Sequence, residues 1–188
     1  SGEEKTTLRA KEGIDGKRLF LSVGSFIPRK NDKQLLALWA KMAKNDTLML
    51  IGDGPEKEDY EKIIAEKHLS NVLIHPYLSH SEILRYFRLA DASIFLTKED
   101  IYGHVVNECL SQGTPVIASD KANSAKNLIK DGENGYLVSL DNEESIRKAL
   151  TSPLTLAMGE EAIKTAQKNT IEAMAKRHEE IFQEFLAQ

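Results

Sequence analysis

Residues 18–51, RLFLSVGSFIPRKNDKQLLALWAKMAKNDTLMLI, decide the fold. Residues 18–25 form a short, mostly apolar run that closes on Gly24, and 31–45 place Leu35, Leu38, Trp39 and Met42 at helical spacing. Residues 47–51 (TLMLI) are apolar again, so the order is strand, loop, helix, strand. A run that is apolar on consecutive positions, rather than on alternate ones, is what a strand shows when helices cover both of its faces. The sheet is therefore expected to be parallel.

The same alternation fills the rest of the chain. Helices are predicted over 56–67, 79–90, 105–112, 125–130 and 143–150, and strands over 72–75, 92–96, 115–118 and 136–138. Beyond Pro153, two more helices are predicted, 156–168 and 171–187, the last with Met174, Ile181 and Phe185 on one face. Ser79 with Glu82, and Asp141 with Glu144, have the spacing of a helix N-cap and its third residue. The expectation is an α/β domain with a doubly wound, mostly parallel, six-stranded Rossmann-like sheet. Ligands of such sheets bind outside the carboxyl ends of the strands, so the loops that follow strands hold the candidate site.

Composition narrows the function. The 188 residues and 41% hydrophobic content suit one compact domain. The 25 basic and 29 acidic residues give a formal charge of −4, and no stretch joins Lys and Arg to aromatics as a nucleic-acid footprint would. Cys109 is the lone cysteine, which fits a reducing compartment, and the cytoplasm is the expected location. No apolar run approaches the ~18 residues of a membrane span. His68, His75, His80 and His178 lack metal-ligand spacing, and no metal is expected. Residues 1–16 read as a polar lead-in, with Ser1 and Gly2 as a cloning remnant, and 17–188 as the domain; the chain is expected to begin inside a longer protein.

Three loops carry the candidate chemistry. Gly24, Ser25, Arg29 and Lys30 follow the first strand and precede a helix, which makes either an anion site at a helix N-terminus or a surface turn with a solvated lysine. Gly52 to Pro55, GDGP, is a tight turn that lacks the third glycine of the dinucleotide fingerprint. The longest is residues 97–119, TKEDIYGHVVNECLSQGTPVIAS, where Asp100 lies on a loop and Glu108 on the helix that this loop opens near Gly103. Glu108 is either a carboxylate that accepts hydrogen bonds from neighbouring ribose hydroxyls or a solvated residue on an amphipathic helix.

Residues 100–118, DIYGHVVNECLSQGTPVIA, resemble the donor-site signature of glycosyltransferase family 4, E-G-F-G-x-x-x-x-E-A-M-A-x-G-x-P-V-I-A. VGSFIPRKN at 23–31, LIGDGP at 50–55 and DGENGYLV at 131–138 resemble further motifs of that family in the same order. LRAKEGIDGKRLF at 8–20 is similar to the junction where the family's second domain begins, and IEAMAKRHEEIF at 171–182 to its closing helix.

The resemblance implies a GT-B enzyme represented by its C-terminal, nucleotide-sugar-binding domain, with the N-terminal acceptor domain missing. It implies transfer of a sugar from a UDP- or GDP-type nucleotide sugar with retention of configuration and with no metal or other cofactor. Any association with a membrane would come through the missing domain. Glu108 takes the ribose-binding position, and Lys30 that of the diphosphate-binding lysine. Asp100 takes the position that meets donor-sugar hydroxyls, with Glu99 beside it as the alternative. Asp100 and Lys30 are thus the catalytic candidates. Gly103, His104 and Val105 would offer backbone donors to the donor phosphates, with Gly24 in the facing loop. Tyr77 and Leu78, with Pro76, would lie near the base. Ser25 replaces the family's second cation, a role for which Arg29 is the candidate; Ile101 replaces the signature's first glycine, and Asn127 a glutamate. These departures leave a noncatalytic nucleotide-sugar-binding or scaffolding partner as one rival, and an NAD-linked oxidoreductase domain as another.

Overall fold

The computed structural model describes residues 2–14, 17–42 and 45–186. Its strands are β1 (Leu19–Val23), β2 (Thr47–Ile51), β3 (Val72–His75), β4 (Ala92–Phe95), β5 (Val116–Ser119) and β6 (Gly135–Val138). They form one sheet in the order β3-β2-β1-β4-β5-β6, and every neighbouring pair is parallel. The helices are α1 (Gly2–Lys11), α2 (Asp32–Trp39), α3 (Lys57–Glu66), α4 (His80–Leu89), α5 (His104–Ser111), α6 (Asn123–Leu128), α7 (Glu143–Thr151), α8 (Leu156–Gln167) and α9 (Ile171–Leu186).

The chain winds outward from β1 to β3, and α4 then carries it back to β4 on the other side of β1. Connections leave β1 and β4 in opposite directions, so a crevice opens at the carboxyl ends of these two strands. The predicted doubly wound parallel sheet is the observed one, and the reason is visible in its side chains. Leu19, Leu21, Met49, Ile51, Val116 and Ala118 enter one core layer. Phe20, Leu48, Leu50 and Ile117, which alternate with them along the strands, enter the other. Helices α4, α5, α6 and α8 cover the first layer and α2, α3 and α7 the second. Phe20 packs edge-on to Trp39 with ring centroids 5.5 Å apart. Cys109 is buried in the first layer beside Val106 and Leu110.

Several boundaries differ from those predicted. The predicted helix 31–45 ends as α2 at Trp39, with a turn following; Ala43 and Lys44 lie outside the described residues. The short helix expected at 125–130 is α6, two residues earlier at each end. Ser79 is the predicted cap of α4, a complete capping box with Glu82. The predicted Asp141 cap is instead Asn142, whose Oδ1 accepts from the Ser145 N–H at 3.0 Å, because α7 starts at Glu143. The part of α9 predicted at Ala187, and residues Ser1, Asp15 and Gly16 of the lead-in, lie outside the described residues.

The polar lead-in is ordered through its charges. Lys5 Nζ donates to the Ala90 carbonyl at 2.7 Å and contacts Asp91 at 3.2 Å, while Arg9 Nη2 meets Asp91 Oδ2 at 2.6 Å. Asp91 Oδ2 also accepts from the Leu19 N–H at 2.7 Å, so one carboxylate joins α1, the end of α4 and the start of β1. Ile14 is buried in the core. At the other end, α9 leaves Ile171, Met174, Phe182 and Phe185 exposed. Among the described residues, no helix is long and apolar enough to cross a membrane.

Candidate functional site

The loop after β1 is held from below by the loop after β2. Phe26 N–H donates to the Asp53 carbonyl at 2.8 Å and Glu56 N–H to the Phe26 carbonyl at 3.0 Å. A Cβ placed on Gly52 would stand 1.9 Å from the Gly24 carbonyl oxygen, so only glycine permits this approach. The GDGP turn thus supports the site loop, and does not itself line the crevice.

The loop after β4 meets the same place from the other side. Lys98 N–H and the Thr97 hydroxyl both donate to the Arg29 carbonyl, at 2.8 and 3.1 Å, which stitches the two loops together. Gly103 then starts α5 with φ of 65°, and a Cβ there would stand 2.8 Å from Ser124 Oγ. Gly103, His104 and Val105 at this turn line the crevice, and the first N–H groups of a helix carry the positive end of its dipole.

Between the loops is a cavity of about 400 Å³ lined by Val23, Gly24, Ser25, Arg29, Lys30, Ile83, Asp100, Gly103, His104, Val105 and Glu108. Nine sequence candidates therefore come together at the switch point of the sheet. Lys30 is not the solvated lysine of a surface turn. Its ammonium lies 4.5 Å above the Phe95 ring and 3.0 Å from Asp100 Oδ2, and its side chain is 16% exposed. Arg29 Nη1 reaches the same Asp100 oxygen at 3.0 Å and the Glu99 carbonyl at 2.8 Å. Burial alone would raise the Asp100 carboxyl, but the hydrogen bond and charge of Lys30, joined by those of Arg29, hold it below the ordinary range. Glu108 presents a partly exposed carboxylate to the cavity, with His80 Nδ1 at 3.9 Å.

The remaining candidates fall outside this cavity. Of the two adjacent acids, Asp100 faces the cations; Glu99 is exposed and lines a neighbouring cavity of about 520 Å³ with Arg29, Asp100, Ile101, Lys121 and Asn123. The Tyr77 hydroxyl donates to Ser25 Oγ at 3.0 Å and to the Asp53 carbonyl at 3.2 Å, so it braces the β1 loop from the rim. Leu78 packs against the core. Asn127 is exposed on α6 and does not line the crevice.

Sequence reasoning missed the support beneath Lys30. Asp32, the first residue of α2, is buried and accepts from Ser22 Oγ at 2.7 Å. Burial pushes its carboxyl up to about 6, against the Ser22 hydrogen bond and the Lys30 charge. Glu56, also buried, accepts from the Tyr60 hydroxyl at 3.0 Å and pairs with Lys33 at 2.7 Å. An acid one residue inside a helix start was the available signal for Asp32. Among the described residues, no group of three or more His, Cys, Asp or Glu is arranged to hold a metal ion.

A parallel sheet reversing between β1 and β4, with two cations, a glycine-started helix and a carboxylate in the crevice, defines the doubly wound class of ligand-binding α/β domains. Residues 4–177 match the family described as Glycosyl transferases group 1, and the chain belongs to that family. Alpha-D-kanosaminyltransferase of Streptomyces kanamyceticus is 28% identical over 138 residues, which are 71% of this chain and 36% of that protein. N-acetylgalactosamine-N,N'-diacetylbacillosaminyl-diphospho-undecaprenol 4-alpha-N-acetylgalactosaminyltransferase of Campylobacter jejuni is 25% identical over 170 residues, 87% of this chain and 44% of that protein. The chain thus spans less than half the length of these relatives. Among solved structures, Anabaena HepE in complex with UDP superposes with a TM-score of 0.83 at 19% identity, over 98% of this chain and 53% of that one. Sucrose-phosphate synthase from Thermosynechococcus elongatus gives 0.79 at 23%, over 97% and 49%. The resemblance in residues 100–118 and the predicted fold both agree with these findings.

Proposed function

We propose that this chain is the donor-binding part of a retaining glycosyltransferase that takes its sugar from a nucleoside-diphosphate sugar. The observation that carries this reading is the convergence of Lys30, Arg29, the start of α5 and Glu108 on one cavity at the switch point of the sheet.

Each part has a chemical task. The departing diphosphate gathers negative charge as the bond to the anomeric carbon breaks. Lys30, Arg29 and the N–H groups at Gly103, His104 and Val105 would stabilise that charge without a metal, and oriented donors in a partly enclosed site do so most effectively. Glu108 would accept from the ribose hydroxyls, and Asp100 from hydroxyls of the donor sugar. HepE of Anabaena, which shares the fold, is seen in complex with UDP, which favours a UDP-type donor. The acceptor would be held by an N-terminal domain, since transfer requires two oriented substrates, and this chain alone would carry out no transfer. Any contact with a membrane would belong to that domain, and the compartment is proposed to be the cytoplasm.

Thermal unfolding with millimolar UDP, GDP, ADP and NAD tests the reading. A ligand of the folded state raises stability by RT ln(1 + [L]/Kd), so UDP or GDP is expected to shift the transition upward and NAD to leave it in place. A shift with NAD alone would turn the reading toward an oxidoreductase, and a shift with no nucleotide would end it.

A further inference from the structure

The two cations assigned to the donor diphosphate already hold an anion. Lys30 Nζ and Arg29 Nη1 both lie 3.0 Å from one atom, Asp100 Oδ2. The side chain of Asp100 is 14% exposed and that of Lys30 16%, so neither is freely hydrated in this arrangement. A diphosphate that reaches Lys30 and Arg29 competes with this carboxylate for both cations.

The surroundings fix how that exchange occurs. The backbone of Asp100 bridges to Ala122, and its carbonyl accepts from the Asn123 N–H. The Arg29 carbonyl is held by Lys98 and Thr97. With both loops pinned, the exchange is a rotation of the Asp100 side chain.

We propose that Asp100 is a built-in competitor for the donor diphosphate, and that this competition lets the site discriminate an intact nucleotide sugar from the nucleoside diphosphate left after transfer. The inference rests on the donor-site reading above. When a sugar accompanies the diphosphate, the displaced carboxylate meets sugar hydroxyls and regains hydrogen bonds. When the diphosphate arrives alone, the carboxylate loses two cations and gains no partner, while two anions stand close together. Burying a charge without a partner is unfavourable, so the bare nucleoside diphosphate binds against a penalty that the whole donor avoids. The same penalty favours release of the spent nucleotide after the sugar has left.

The test is calorimetric titration of UDP, UDP-glucose, GDP and GDP-mannose into wild type, D100N, E99Q and K30A, with circular dichroism confirming the fold. Exposed to partly buried ion pairs contribute modestly, so D100N is expected to bind UDP or GDP about threefold to tenfold more tightly, with no such gain for the nucleotide sugar. E99Q makes the same charge change one residue away and is expected to give less than half that gain; an equal gain would assign the effect to general electrostatics and overturn the proposal. Unchanged or weaker binding by D100N, together with weaker binding by K30A, would also overturn it while leaving the donor site standing. If neither K30A nor D100N alters binding, the donor-site reading fails and this inference with it. A measurement on the wild type covers the case in which D100N does not fold. The Asp100 carboxyl ¹³C resonance is expected to move when UDP saturates the site, and a resonance that stays in place would refute the exchange.

Discussion

Glu108→Ala is the substitution that separates a ribose-binding carboxylate from an ordinary helix residue. Glu108 lies on α5, its side chain is 34% exposed, and its carboxylate lies 3.9 Å from His80 Nδ1, on a side chain itself 67% exposed. Exposed pairs at such distances contribute about 0–1 kcal/mol. Truncation therefore leaves no buried partner behind, and the midpoint of thermal unfolding is expected to fall by no more than about 2–4 °C. Binding should respond differently. A hydrogen bond to a charged group is worth roughly 1.5–3 kcal/mol, so loss of one ribose contact weakens the nucleotide about tenfold, and loss of two about a hundredfold. Glu108→Gln should lose less, because its amide oxygen still accepts one bond. Calorimetric titration of the stabilising nucleoside diphosphate into the three proteins measures this, and equal affinities would remove Glu108 from the site.

Three further substitutions probe the frame around it. Gly103→Ala puts an L residue at φ of 65° with its Cβ 2.8 Å from Ser124 Oγ and 3.0 Å from the Phe95 ring; a cost of about 1–3 kcal/mol follows, readable by scanning calorimetry, and an unchanged midpoint would contradict it. Asp32 binds its proton more tightly folded than unfolded, because burial raises its carboxyl to about 6. Its contribution to stability is thus full below about pH 4 and is lost as pH rises through about 6, by up to ~3 kcal/mol. Urea unfolding of wild type and D32N at pH 4.5 and 7.5 should show this extra pH dependence only in wild type, and identical slopes would reject it. Asp91→Ala removes the acceptor shared by Lys5, Arg9 and the Leu19 N–H. A loss of about 2–4 kcal/mol is expected from an unpartnered buried donor and two freed cations, and a loss under about 0.5 kcal/mol in urea titration would show that the staple is idle.

How far the chain could be read beforehand depended on the kind of force involved. The strands were legible because burial on both faces leaves continuous apolar runs such as LFLSV and TLMLI, and these need no knowledge of partners. The crevice was legible for a related reason: once strands and helices are placed, the loops at Gly24 and Gly103 must meet at the carboxyl edge. The ordering of α1 was not, since Lys5 and Arg9 dock on carbonyls and a carboxylate some 80 residues away, and periodicity records only apolar burial. The choice between Asn142 and Asp141 as cap turned on a one-residue shift in the start of α7, finer than any pattern resolves. The pairing of Lys30 and Arg29 with Asp100 spans some 70 residues and rests on side-chain rotamers, which no local motif encodes. Glu99 and Asp100 are distinguished in the same way, by which carboxylate the loop turns toward the cations.

The burial of Cys109 gives the protein its own reporter. It is the lone cysteine among 188 residues, and burial pushes its thiol well above the ordinary range, so neither access nor thiolate is on offer while the chain is folded. A thiol reagent can modify it only through openings that expose the first core layer, and the mass change belongs to one site. Because a nucleotide bound to the folded chain makes such openings rarer by the factor 1 + [L]/Kd, the rate of alkylation falls as ligand is added. The affinity of any added nucleotide can then be read from the unaltered polypeptide with a mass spectrometer, and each substitution above can be ranked by how quickly the same sulfur becomes reactive.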